Sequence, residues 1–355
     1  MHGWRKPTKP VGEERLLLDA VPGDDDPIAD LSAAARHGST LFLGSDEGVC
    51  IERLLRTEGG WDRHARIPLD SLLPFDPAGE ADIEGLAEDS GWLWVLGSHA
   101  RTRPRIATRD DERIDLADFA KLKDTRPRCL LARVPLAPDP ALPGAMLPVP
   151  RDGDRRAGML RLGERGNRLA RLMALDPLLG PFTRVAVKEG GVDLEGIAVA
   201  GDRIAIGMRG PVIRTHAVLL ECTLAAKPKG RLVIVSPLSK RLLALDGLGI
   251  RDLKRDGDDL LILAGPTTGL DGPCHIYRWQ GWAGDPPRDA EIVRLHRPER
   301  IIDLPFGRGD DHPEGLLLLD RADGGRDVAV ICDSPAKARM GDGGRSVRCD
   351  RFRLR

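Results

Sequence analysis

The chain has 355 residues, with 54 Lys+Arg against 55 Asp+Glu and a formal net charge of −1. That balance excludes a polyanion-binding protein driven by global charge, and 41% hydrophobic residues exclude a chain disordered throughout. With 41 Gly, 28 Pro and 4% aromatic residues, the composition disfavours a helix bundle and favours short strands joined by tight turns.

In chain order, residues 1–13 read as a flexible start and Arg15-Leu16-Leu17-Leu18 as a strand. Asp30-Leu31 leads through a turn to the apolar strand Leu41-Phe42-Leu43-Gly44. Val49-Cys50-Ile51 and Ile67-Pro68-Leu69 supply third and fourth strands of the same unit. The next unit opens on Asp82-Ile83-Glu84-Gly85-Leu86, followed by Leu93-Trp94-Val95-Leu96-Gly97 and by Cys129-Leu130-Leu131-Ala132-Arg133-Val134. Ile114 to Ala120 reads as a short helical turn. Residues 136–182 form an insertion. It opens on Pro138, Pro140, Pro143, Pro148 and Pro150, a loop signal, and continues with Leu160, Leu162, Leu169, Leu172, Met173 and Leu175, partly at helical spacing. Val185-Ala186-Val187 is the expected fourth strand of this unit.

Asp193-Leu194-Glu195-Gly196-Ile197 opens the third unit, with Ile204-Ala205-Ile206-Gly207, Val218 to Cys222 and Leu242 to Leu245 as its further strands. A fourth unit starts at Asp252-Leu253 and runs through Leu260 to Leu263, Cys274 to Tyr277 and Ile301 to Leu304. The fifth starts at His312-Pro313-Glu314-Gly315-Leu316 and continues through Val328 to Ile331 and Val347 to Phe352.

One phrase therefore stands three times with its Glu and twice without it. The unit starts, 30, 82, 193, 252 and 312, make one unit roughly 50–60 residues long, with the insertion inside the second. The tail has no fourth strand and the head has a spare one. A ring of four-stranded blades closed by an N-terminal strand accounts for both ends. The expected fold is all-β: a single-domain β-propeller over 14–355, with about five to seven four-stranded blades.

In such a ring the first strand of each blade lines the central channel. Glu84, Glu195 and Glu314 then sit at equivalent radii. Buried carboxylates near one axis must be paired, hydrogen-bonded or bound to a cation. Two readings follow: an inter-blade hydrogen bond repeated by symmetry, or a metal or ligand site. The hairpin ends put His99, Asp46, Arg209 and Asp333 at one channel mouth. Asp46, Arg209 and Asp333 are candidate ligand-binding residues, and His99 and Arg209 are candidate catalytic ones, as general base and as clamp on developing negative charge. For His99 the plainer reading is a hydrogen-bonded turn residue, and for Arg209 a salt bridge to a glutamate.

The basic stretch Arg101, Arg103, Arg105 and Arg109 is cancelled by Asp110, Asp111 and Glu112 and reads as a solvated loop, so no nucleic acid is expected. Asp24-Asp25-Asp26 and Asp310-Asp311 read likewise. The six cysteines form no C-x-x-C pair and read as buried thiols. No apolar run approaches the roughly 20 residues of a membrane span, so no membrane partner is expected. No hydrophobic stretch follows Arg5, Lys6 and Lys9, so the expected location is the cytoplasm.

The Asp-x-Glu-Gly-hydrophobic strands, with Gly97-Ser98-His99 and Met208-Arg209-Gly210-Pro211, resemble an uncharacterised bacterial domain-of-unknown-function family over roughly residues 30 to 335. More distantly, the Glu-Gly strand starts are similar to six-bladed propellers of the phytase-like, esterase-like and calcium-dependent lactonase group. That likeness implies a divalent cation such as calcium, held on the inner-strand glutamates Glu84, Glu195 and Glu314. The functions in view are a propeller binding a small molecule or protein at its channel mouth, a metal-assisted ester or phosphoester hydrolase, and a protein-interaction scaffold.

Overall fold

The structure, a computed structural model, describes residues 6–19, 27–76, 80–104, 114–287, 289–307 and 311–354. The runs Asp24-Asp25-Asp26, Arg105, Arg109 to Glu112, and Asp310 lie outside the described residues.

Five four-stranded antiparallel blades follow one another in sequence. The first is Leu31–His37, Thr40–Ser45, Cys50–Thr57 and Gly60–Pro68. The second is Ile83–Asp89, Trp92–Gly97, Leu131–Pro138 and the two-residue Gly158–Met159. The third is Asp193–Ala200, Arg203–Gly210, Ala217–Ala226 and Ser239–Leu243. The fourth is Gly249–Asp256, Asp259–Gly265, His275–Trp279 and Glu299–Asp303. The fifth takes His312–Asp320, Arg326–Asp333 and Ser346–Arg353 from the end of the chain and Gly12–Leu17 from its beginning. The first strands pack side by side in order, and the fifth returns to the first. The ring therefore closes at five, and the described residues of the long interval after residue 82 form no further blade.

Closure is a strand pairing. Gly12 to Leu17 run antiparallel to Ser346–Arg353, from Gly12↔Arg351 to Leu17↔Ser346. Each ring interface has its own apolar core. Between blades two and three, for instance, Trp94 and Leu96 meet Ile197, Ile206 and Leu220, all at most 1% exposed. The middle strands are apolar on both faces because each face meets a neighbouring blade.

Two local expectations change. Val185-Ala186-Val187 is not a strand: it joins two 3-10 turns, Gly180–Arg184 and Val187–Glu189. Gly158–Met159 takes the fourth-strand place, pairing with Arg133 and Ala132. Of the apolar series, only Leu169, Leu172, Met173 and Leu175 fall in a helix, Arg168–Leu175, capped by the Asn167 carboxamide, which accepts from Ala170 N at 2.9 Å. A one-turn helix, Leu116–Phe119, lies where Ile114 to Ala120 led one to expect it. Among the described residues no helix is long and apolar enough to cross a membrane.

Candidate site at the channel mouth

In every blade the pairing between first and second strands slips at the same place. Ile83 faces Gly97, but Gly85 faces Leu96. The same step occurs at Leu31/Ala33, Ile250/Asp252 and Pro313/Gly315, and in blade three a wider slip from Leu194 to Ile197 leaves both Glu195 and Gly196 unpaired. A bulge leaves one residue unpaired and re-aims its side chain. The residues in that slot are Ser32, Glu84, Glu195, Arg251 and Glu314. The fourth unit therefore starts three residues earlier than Asp252: Gly249 stands where Asp82 does, Arg251 takes the glutamate slot, and Asp252 the glycine slot.

The glycine after the bulge is there for packing. Gly196 has φ +77°, and a Cβ on it would lie 2.6 Å from Leu253 N in the next blade. Only a residue without a side chain permits that approach.

Glu84, Glu195 and Glu314 converge so closely that one carboxylate oxygen of each lies within 4.8 Å of the others. Arg209 Nε is 2.9 Å from Glu195 Oε1, and its Nη2 is 2.5 Å from Asp193 Oδ2. Arg251 Nη2 is 2.6 Å from Glu314 Oε1, and its Nη1 is 3.5 Å from Glu195 Oε1. The second oxygen of Glu195 is buried and accepts no hydrogen bond. No donor among the described residues bonds to Glu84. Burial, reinforced by Glu195 and Asp82, holds the Glu84 carboxyl well above the usual carboxylate range. Burial does the same to Glu195 against the pull of Arg209 and Arg251, and it raises Glu314 against the same two arginines.

Asp82 sits beside this group, 2.6 Å from Arg128 Nη1 and bonded by the Ser98 hydroxyl. Burial lifts it to about 6 although Arg128 opposes the change. Lys254 crosses beneath. Its ammonium donates to Asp252 Oδ1 at 2.7 Å and to Leu86 O, two blades away, at 3.2 Å. Asp252 accepts in turn from Leu316 N of blade five at 2.7 Å. These bonds tie three blades across the axis.

Asp46 and Asp333 lie at the same mouth. Burial, then the neighbouring Asp333, lifts the Asp46 carboxyl to about 8. Asp333 lines a cavity of about 220 Å³ with Arg209, Arg251, Glu314, Pro266 and Phe306.

His99 lies elsewhere. Its ring Nδ1 is 2.9 Å from Gly97 O, and Nε2 is 3.0 Å from the Asn167 carboxamide nitrogen. Asn167, itself fully buried, also donates to Cys129 O at 2.7 Å. Both ring nitrogens are thus engaged, Nδ1 as donor and Nε2 as acceptor. Burial pushes the ring's pKa down to about 4 and keeps it neutral. The ring borders a separate cavity, with Cys129, Gly166 and Ala170.

These features define a class: a five-bladed propeller with an acidic, partly arginine-neutralised cluster on its axis. The chain matches over residues 30–350 a family described as a protein of unknown function, DUF3616, and belongs to it. No curated protein matches. Among solved structures it is similar to Myxococcus xanthus glutaminyl cyclase, at 11% identity and TM-score 0.42, covering 98% of this chain and 100% of that one. It is also similar to Cellvibrio cellulosa alpha-L-arabinanase, at 13% identity and TM-score 0.38, covering 90% of each chain. A GH43 beta 1,3 galactosidase matches at 10% identity and TM-score 0.42, with 98% of this chain and 60% of that one covered. At such identities the likeness does not extend to activity.

Proposed function

We propose that this protein is a ligand-binding propeller whose channel mouth holds a divalent cation on Glu84, Glu195 and Glu314. The cation and Arg209, with Asp46 and Asp333 at the rim, then take a small polar ligand. The supporting observation is that three carboxylates converge within 4.8 Å while the arginines reach only one oxygen each of Glu195 and Glu314. The buried second oxygen of Glu195 has no hydrogen-bond partner, and no donor among the described residues bonds to Glu84. An all-oxygen donor set suits a hard cation such as calcium.

Metal-assisted hydrolysis requires a base beside the cation. His99, with both nitrogens engaged and its ring buried by Asn167, supplies none there. Binding is accordingly the better supported function.

Calcium titration by isothermal calorimetry, with thermal unfolding in parallel, tests this. A ligand of the native state raises stability by mass action, about 2.7 kcal/mol at a hundred times Kd. Wild type is expected to bind one calcium ion and melt higher with it, and Glu84→Gln to do neither. Wild type that neither binds calcium nor gains stability from it would overturn the proposal.

A further inference from the structure

A second cavity, about 630 Å³, opens on the same face of the ring at blade two. It is well within the size range of pockets that hold small organic molecules. It lies between the loop that follows Ser98 and the excursion 160–192, which joins blades two and three and has no counterpart of its length in the other blades.

Its walls are predominantly basic, with Asp124 and Glu164 as the two acidic lining residues. Arg101, Lys123, Arg165, Arg171 and Arg184 line it, and none of the five has a carboxylate at ion-pairing distance among the described residues. A sixth cation, Arg126, is neutralised by Asp124 at 2.5 Å. The floor is apolar: Cys129, Met173 and Val192 are buried there. The helix Arg168–Leu175 explains the combination. Leu169 and Met173, four apart, turn inward, whereas Arg171 and Leu175, also four apart, are exposed, and both line the cavity. Leu175 is 80% exposed.

Five like charges with no ion-pairing carboxylate among the described residues repel one another, and an open apolar floor leaves hydrophobic surface in water. One kind of molecule relieves both. We propose that this cavity binds a small amphiphilic oxyanion, a phosphate or carboxylate head on an acyl or aryl body, with the head among Arg101, Arg171 and Arg184 and the body against Met173, Leu175 and Val192. Arginine suits such heads because its planar fork meets two oxygens at once and stays charged at all relevant pH. The site is independent of the channel mouth and of any cation there.

Calorimetric titration of the full chain with decyl phosphate below its micelle threshold tests this, with inorganic phosphate and decanol as partial ligands. Vesicles of phosphatidylcholine with phosphatidic acid represent the same head in a bilayer. Decyl phosphate is expected to bind at least tenfold more tightly than inorganic phosphate or decanol. Arg171→Glu with Arg184→Glu, both exposed positions, is expected to weaken it at least tenfold with an unchanged melting temperature. Leu175→Asn, which adds polarity without charge, supplies an independent variant should the double charge reversal fail to fold, and is expected to weaken decyl phosphate while leaving weak inorganic phosphate binding unaltered. Equal affinity for inorganic phosphate and decyl phosphate would overturn the proposal. So would unchanged binding by the variants, or binding to vesicles with none to monomeric decyl phosphate.

Discussion

Arg251 is the residue whose removal tests the electrostatics of the cluster most directly. It is buried, at 7% exposure, and reaches Glu314 at 2.6 Å and Glu195 at 3.5 Å. At an effective dielectric near 20, unit charges 3.5 Å apart attract by about 5 kcal/mol. Much of that gain is offset by desolvation of both partners, so a buried pair adds little net stability. Deleting one partner is different, because the other keeps its desolvation penalty. Arg251→Met, which retains much of the side-chain volume, is therefore expected to destabilise by about 3–5 kcal/mol at pH 8. The loss shrinks as pH falls. Without the guanidinium, Glu195 and Glu314 rise further above their unfolded pKa values, so the folded state takes up protons and regains stability toward pH 5. Calcium at a thousand times Kd is expected to restore up to about 4 kcal/mol by replacing the lost positive charge. The assay is urea unfolding at pH 5 and pH 8, with and without calcium. Equal losses at both pH values with no rescue would refute the reasoning and make Arg251 a packing residue.

Two further outcomes follow from the same geometry. Gly196→Ala places a Cβ 2.6 Å from Leu253 N at φ +77°. It is expected to lose more than about 1 kcal/mol in urea unfolding, and an unchanged midpoint would contradict the close approach of blades three and four. The pH profile of the cation-free protein is expected to fall on both sides. His99, about 4 when folded, contributes stability that is complete above its unfolded value of 6.5 and lost as pH drops toward 4. Asp46, raised to about 8, has the opposite sign, because the folded state holds a proton that the unfolded state has released, so stability declines as pH rises from about 4 to 8. Asp46→Asn is expected to flatten the alkaline limb in thermal unfolding. A limb as steep as that of wild type would remove Asp46 as its source.

The ring was legible because each blade must repeat one piece of backbone, and three blades keep the glutamate and glycine that mark it. Arg251 was hidden because the repeat was sought in residue types, whereas the structure repeats a position. In blades one to four the residue before the bulge pairs with a partner 14 positions on, as Leu31 does with Ser45, Ile83 with Gly97, and Leu194 with Met208. Counting the same span back from Ala264 arrives at Ile250 and puts Arg251 in the glutamate slot. Gly158–Met159 could not be read, since two residues beside a proline-rich run carry no periodicity. The link between His99 and Asn167 spans 68 positions and rests on one carboxamide, which local pattern cannot register. Asp333 shares a cavity with Arg209 and neighbours Asp46 because hairpin ends of successive blades lie on the same side of a ring.

The pairing of Gly12–Leu17 with Ser346–Arg353 has a consequence for how the gene can be written. Because the two ends of the chain finish in one sheet, the circle has no first blade in any physical sense. A short bridge from the last strand to the first, with new ends opened at the exposed turn Gly201-Asp202, would preserve every strand pairing, every inter-blade core and the whole axial cluster. At the axis, what distinguishes one blade from another is then not order along the chain but the residue each one presents at its bulge.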